Sequence, residues 1–118
     1  MARVLVVEDN QPMREMYKTL LEAMGHAVLL ARDGVEGLHG LKSAPPDLVL
    51  LDLSMPVASG DVVLGFIRST PELAATRVVI ISALPEAETL ARQLEADACL
   101  MKPVELDDLR ATVNRLLS

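Results

Sequence analysis

Glu8-Asp9, Asp52, Ser82 and Lys102 are the residues whose types could do chemistry together, and each stands where a run of apolar residues stops. Three carboxylates gathered within a few ångströms repel one another, which raises at least one pKa unless a cation sits among them. Oxygen donors with no His or Cys beside them select a hard divalent ion, Mg²⁺ or Mn²⁺, over zinc. With that charge offset, a carboxylate such as Asp52 can attack a phosphoryl donor. Lys102 offers a fixed positive charge for the transferred oxygens and Ser82 a hydroxyl donor, the positioned electrostatics on which phosphoryl transfer depends. Together the set describes an aspartyl-phosphate site. Each member has a plainer reading alone: Glu8-Asp9 and Ser82 as helix caps, Asp52 as a turn aspartate, Lys102 as a solvated lysine. What separates the two readings is whether the fold brings them together.

Short apolar runs supply the strands. Val4-Leu5-Val6-Val7, stopped by Glu8-Asp9-Asn10, has the pattern of a strand buried on both faces. Ala27 to Ala31 repeats the strand signal, Leu48-Val49-Leu50-Leu51 and Val78-Val79-Ile80-Ile81 give the third and fourth, and Ala98 to Met101 a short fifth. Helices alternate with them. Met13, Met16, Tyr17, Leu20, Leu21 and Met24 form one apolar stripe, with Arg14, Glu15, Lys18 and Glu22 expected to face water. Pro12 suits the first turn and Gly25 a left-handed stop. Asp33 opens a second helix weakened by Gly34, Gly37 and Gly40 and ended by Pro45-Pro46. Val62, Val63, Phe66 and Ile67 predict a third. Pro85 predicts the start of a fourth, carrying Ala87, Leu90, Ala91 and Leu94 inward with Glu88 and Arg92 as an exposed pair. Leu106, Leu109, Val113, Leu116 and Leu117 make the last.

Five strands alternating with five helices through short connections demand a parallel sheet with helices on both faces, wound as a flavodoxin-like 2-1-3-4-5 or a Rossmann-like order. Strand two ends in no comparable chemical group. In the order 2-1-3-4-5 it is the outer edge, farthest from a site at the centre, so the chemistry prefers that winding. The expected fold is α/β, a flavodoxin-like (βα)5 doubly wound sandwich forming one domain over residues 1–118.

Composition narrows the function further. The 118 residues carry 11 Lys plus Arg against 17 Asp plus Glu, a formal charge of −6, and 51% are apolar. Apolar content of that order suffices to order the chain. Acidity argues against direct nucleic-acid binding, and with only Tyr17 and Phe66 aromatic there is no base-stacking surface. One cysteine, Cys99, excludes an internal disulfide and a multi-thiolate zinc site, and points to the cytoplasm. No apolar run approaches the roughly 20 residues of a membrane helix, so no membrane association is expected. His26 and His39 lack metal-ligand spacing, and the methionines of the first helix read as core packing.

Glu8-Asp9, the run Leu51-Asp52-Leu53-Ser54-Met55-Pro56, Ser82-Ala83 and Lys102-Pro103 resemble the receiver domains of two-component response regulators, chemotaxis regulators among them, over the whole chain. Residue by residue, the resemblance implies Asp52 as phosphoacceptor, Asp9 and Asp52 as side-chain metal ligands, Glu8 acting on the ion largely through water, and the Ser54 carbonyl as third protein ligand. Ser82 and Lys102 would hold the phosphoryl oxygens, with Ala83 at the same binding site. Lys102-Pro103 resembles the family's cis peptide and Gly60 its loop glycine. The resemblance further implies Mg²⁺ or Mn²⁺, a sensor histidine kinase or phosphotransfer protein as donor, and self-phosphorylation and self-dephosphorylation without conventional enzyme turnover. Readout would fall to a downstream effector protein, a homodimer or an output domain outside this chain.

Three positions depart from the family pattern. Cys99 stands where receivers carry a Tyr, Phe or His switch residue, and a thiol is too small to sweep a ring's volume. The expectation is that signalling runs through Ser82 and the Ala83-Leu84-Pro85 loop while Cys99 only packs. Val57 replaces a common loop glycine, and Glu95 stands where glycine often precedes strand five. A phosphatase of the haloacid dehalogenase type also uses an aspartate nucleophile, but it wants a second aspartate where this chain has Ser54. A receiver-like module that no longer accepts phosphate would lack site residues that are all present here.

Overall fold

The computed structural model describes residues 1–53 and 60–118. Its strands are β1 (Arg3–Val7), β2 (Ala27–Ala31), β3 (Leu48–Asp52), β4 (Arg77–Ser82) and β5 (Ala98–Met101), and its helices α1 (Gln11–Ala23), α2 (Gly34–Ser43), α3 (Gly60–Ser69), α4 (Ala87–Gln93) and α5 (Leu106–Leu117), with a 3₁₀ turn at Pro71–Leu73. All pairings are parallel, in the order β2-β1-β3-β4-β5. This is the flavodoxin-like winding expected from the sequence, with β2 on an outer edge.

Alternation along the strands divides the core into two layers. Val4, Val6, Leu48, Leu50, Val79 and Ile81 pack with Tyr17 and Leu21 of α1 and Leu109 and Val113 of α5. Leu5, Val7, Val49, Leu51, Val78 and Ile80 pack on the other face with Leu41 of α2, Val63, Leu64 and Ile67 of α3, and Ala87 and Ala91 of α4. Extending the alternation by one residue puts Glu8 and Asp52 on the α1/α5 side, and Ser82 on the side of α2, α3 and α4.

The helix ends follow local chemistry. Asn10 caps α1 by accepting from Met13 N–H at 3.0 Å, and Gly25 leaves it at φ 93°, a conformation open to glycine. Asp33 caps α2 by accepting from Glu36 N–H at 2.9 Å. The glycines of α2 also let it lie close on the sheet, since a Cβ at Gly37 would meet Val7 at 3.2 Å and one at Gly40 would meet Leu5 and Leu29 at 3.2 Å.

Some expectations fail in detail. Arg14, expected in water, is buried, while Met16 of the apolar stripe is 37% exposed. Arg14, Tyr17 and Leu21 in fact form the inward row, because two main-chain carbonyls at the end of β1 draw the guanidinium in. Val62 is half exposed and Leu64 is buried in its place, so α3 is rotated from the expected stripe. Pro85 lies in a turn before α4, which starts at Ala87. Glu88 and Arg92 are exposed as expected, yet their charged atoms stay more than 4.0 Å apart, because a solvated pair gains little by closing. Ser54, Met55, Pro56, Val57 and the rest of the loop to Ser59 lie outside the described residues.

Candidate functional site

Glu8, Asp9, Asp52, Ser82 and Lys102 all come to the carboxyl ends of β1, β3, β4 and β5, along one rim of the sheet. Carboxylate oxygens of Glu8, Asp9 and Asp52 lie within 4.8 Å of one another. Glu8 and Asp52 are buried, at 1% and 2% exposure, and Asp9 is exposed. Lys102 reaches between the buried pair, with Nζ donating to Asp52 Oδ2 at 3.2 Å and lying 3.3 Å from Glu8 Oε1. That second contact is an ion pair without hydrogen-bond geometry.

The main chain fixes this rim. Glu8 N–H donates to Ala31 O at 3.0 Å, Leu53 N–H to Ile81 O at 3.3 Å and Lys102 N–H to Ser82 O at 2.9 Å. Glu8 Oε2 accepts from Asn10 N–H at 3.2 Å. The Lys102–Pro103 peptide is cis. Gly60 opens α3 directly against the site, where an added Cβ would lie 2.7 Å from Asp52 O and 2.8 Å from Leu53 Cα. Only glycine permits that approach.

Burial is the dominant electrostatic influence on Glu8. It pushes the carboxyl up to about 7, assisted by Asp9 and the charge of Asp52 and opposed by Asn10 N–H and Lys102. Burial alone would lower Lys102, but the charges of Asp52 and Glu8 outweigh it and hold the ammonium above its ordinary value. One lysine thus contacts two of a cluster of three carboxyl groups. An all-oxygen cluster with that negative excess and two buried members fits a hard divalent cation, so Glu8, Asp9 and Asp52 could hold Mg²⁺ here.

Ser82 is fully buried, and its Oγ accepts from Leu84 N–H at 3.0 Å. It therefore ties the β4–α4 loop, whereas Glu86 occupies the cap position of α4. Ala83 follows as an exposed residue. Cys99 is half-buried against the α3/α4 core, and burial, with the Glu88 charge, pushes its thiol up, away from thiolate reactivity. Glu95 adopts φ 59°, the left-handed region in which glycine is easiest. His26 accepts from Ala2 N–H at 3.2 Å, just before β2 and β1 begin, at the opposite ends of those strands from the acidic rim.

Sequence reading missed two residues beside this site. Arg14 Nη1 donates to Glu8 O at 2.8 Å and Asp9 O at 3.3 Å. Tyr17 is buried with no hydrogen-bond partner for its hydroxyl among the described residues, and burial with the charges of Glu8 and Asp52 raises its ionisation above the usual range. The i, i+3 spacing of Arg14 and Tyr17 on the core side of α1 was the available signal.

The family profile described as "Response regulator receiver domain" matches residues 4–114. The chain belongs to that family. The receiver is 38% identical over 118 residues to sensor histidine kinase TmoS of Ectopseudomonas mendocina, covering 98% of this chain but only 12% of TmoS. It is 29% identical over 116 residues to the polar-differentiation response regulator DivK of Brucella anthropi, covering 97% of this chain and 94% of DivK. Among solved structures it resembles the chemotaxis response regulator CheY4 of Vibrio cholerae, at TM-score 0.91 and 29% identity over 98% of each chain. It also resembles response regulator TrrA of Thermotoga maritima in complex with Mg²⁺-BeF, at TM-score 0.87 and 32% identity over 98% of this chain and 99% of that one. At the level of the family its function is phosphorylation-activated signalling, as a switch and not as a conventional enzyme.

Proposed function

We propose that residues 1–118 act as one receiver domain that takes a phosphoryl group onto Asp52, from a sensor histidine kinase or phosphotransfer protein, and answers with a changed surface. The observation that carries this is the buried Asp52 carboxylate beside Glu8 and Asp9, with Lys102 Nζ at 3.2 Å. Asp9 and Asp52 would hold Mg²⁺, or Mn²⁺ on the same donor chemistry, with Glu8 acting on it largely through water, and the ion would supply charge neutralisation between an anionic nucleophile and an anionic donor. The Ser54 carbonyl, implied as a further ligand, lies outside the described residues.

In the transfer, an Asp52 oxygen forms a bond to phosphorus as the donor's bond to that phosphorus breaks, and the donor leaves with the electron pair. Lys102, 20% exposed at its side chain, moves its ammonium from the carboxylate to the arriving phosphoryl oxygens. Ser82 donates its hydroxyl to another. Turning Oγ toward β3 removes the acceptor that Leu84 N–H now uses, so the Ala83-Leu84-Pro85 loop and α4 must re-pair. Signalling runs along that route, and Cys99 contributes packing only. Phosphorylation shifts such an equilibrium by its differential stabilisation, typically 1–3 kcal/mol of coupling. In the same site a water oxygen can bond to that phosphorus as its bond to the Asp52 oxygen breaks, releasing inorganic phosphate and the free carboxylate, so the switch resets.

The readout falls to a downstream effector protein, a homodimer or an output domain beyond this chain, in the cytoplasm. The 38% match to a segment of sensor histidine kinase TmoS favours a second reading of the donor, a kinase in the same polypeptide. Incubation with acetyl phosphate and Mg²⁺ followed by intact mass tests the acceptor directly. The wild type should gain one phosphoryl group and Asp52→Asn none; equal labelling of both would assign the chemistry elsewhere.

A further inference from the structure

Among the described residues Arg14 is a buried cation without an ion pair. No carboxylate lies within 4.0 Å of its guanidinium among the described residues, and the residue is only 9% exposed. Burying a guanidinium is costly unless its donors are satisfied. Its recorded partners are two main-chain oxygens, Glu8 O at 2.8 Å and Asp9 O at 3.3 Å, both reached by Nη1.

Those oxygens belong to the two residues that supply two of the three carboxylates in the acidic cluster. Between the end of β1 at Val7 and the start of α1 at Gln11 the chain has only residues 8–10 in which to turn both carboxylates toward Asp52. Asn10 fixes the far end of this connection by capping α1, and Glu8 N–H fixes the near end on Ala31 O. Arg14 takes hold of the carbonyl side from the first turn of α1. Both contacts come from the one Nη1 nitrogen, so what sets arginine apart from lysine here is its longer stem and the planar group that fixes where that nitrogen lies, against a compact ammonium on a shorter, flexible stem.

We propose that Arg14 is a positioning residue for the cation site: by clamping the main-chain oxygens of Glu8 and Asp9 it keeps their carboxylates converged on Asp52 before any cation arrives. This rests on the reading that the cluster takes a divalent cation. Two roles for Arg14 predict opposite signs. As a mere positive charge it repels the ion, so removing it tightens binding. As a clamp it prepares the ligands, so removing it loosens binding.

Titrating the full chain with Mg²⁺ by calorimetry, as wild type, Arg14→Lys and Arg14→Met, separates these roles, with circular dichroism showing that each variant is folded. The clamp predicts that both folded variants bind about tenfold more weakly, the low end of the effect for residues that orient metal ligands. Wild-type or tighter affinity in Arg14→Met, or wild-type affinity in Arg14→Lys, overturns it. If both variants unfold, the wild type decides through nitrogen-15 NMR of the Arg14 side chain. Slow guanidinium rotation and protection from exchange support the clamp; fast rotation and fast exchange overturn it. A wild-type chain that binds no Mg²⁺ overturns the switch reading and this proposal together, whereas variants at wild-type affinity overturn the proposal alone.

Discussion

Raising the pH of the metal-free receiver should weaken its fold through one side chain, Glu8. Burial lifts this carboxyl from 4.5 to about 7, so between those values the folded chain holds a proton that the unfolded chain has released. Stability falls with pH wherever the folded state binds more protons. The contribution is fully present below 4.5, declines as pH rises through about 7, and is gone above it. A tenfold change in proton affinity is worth about 1.4 kcal/mol, so the loss reaches at most about 3 kcal/mol. Urea unfolding with chelator at pH 5, 6, 7 and 8 measures it, as the difference between wild type and Glu8→Gln, which cancels the other titrating groups. Mg²⁺ should reverse the slope, stabilising the receiver more at pH 8 than at pH 6, because a ligating carboxylate must first lose its proton. Parallel wild-type and Glu8→Gln profiles would refute the assignment of this penalty to Glu8.

Three further variants can be checked with the unfolding and labelling assays. Gly60→Ala places a Cβ 2.7 Å from Asp52 O, against backbone that cannot rotate away; it should cost about 1–3 kcal/mol in urea unfolding and slow acetyl phosphate labelling. Lys102→Ala leaves Glu8 and Asp52 without the ammonium now 3.3 and 3.2 Å away. It should cost about 2 kcal/mol at pH 7 without metal, less than a fully buried pair because the lysine is partly solvated, and Mg²⁺ should restore most of it. Labelling of Asp52 should persist while the amide NMR response of residues 83–95 fades. Glu95→Gly relieves a left-handed residue at φ 59° and should raise stability by about 0.5–1 kcal/mol in the same unfolding assay.

The winding and the rim were legible because they rest on period and punctuation. Val4 to Val7 and Leu48 to Leu51 are apolar without interruption, and the charged residue that stops each run lands on one edge of any parallel sheet. Arg14 was misread for a corresponding reason. Its type predicts solvent, and only the tertiary placement of the Glu8 and Asp9 carbonyls makes an inward guanidinium favourable. Tyr17 fits the apolar stripe on its ring alone, so nothing in the spacing announced a buried hydroxyl that feels the charges of Glu8 and Asp52. The third helix was mis-phased because Val62, Val63 and Leu64 are all apolar, which leaves the sequence without contrast to say which one faces out. Glu88 and Arg92 have the spacing of a pair but not its contact, since spacing fixes which residues are neighbours and water decides whether they close.

Glu8 and Asp52 fall on the α1/α5 side of the sheet, and Ser82 falls on the side of α2, α3 and α4. A charged group bound on the first side that recruits the Ser82 hydroxyl would therefore stitch two otherwise separate layers across the strand tips. Under that arrangement the sheet would work as a lever plate, with bond formation at Asp52 on one flank and the re-pairing of Leu84 N–H, now held by Ser82 Oγ, on the other.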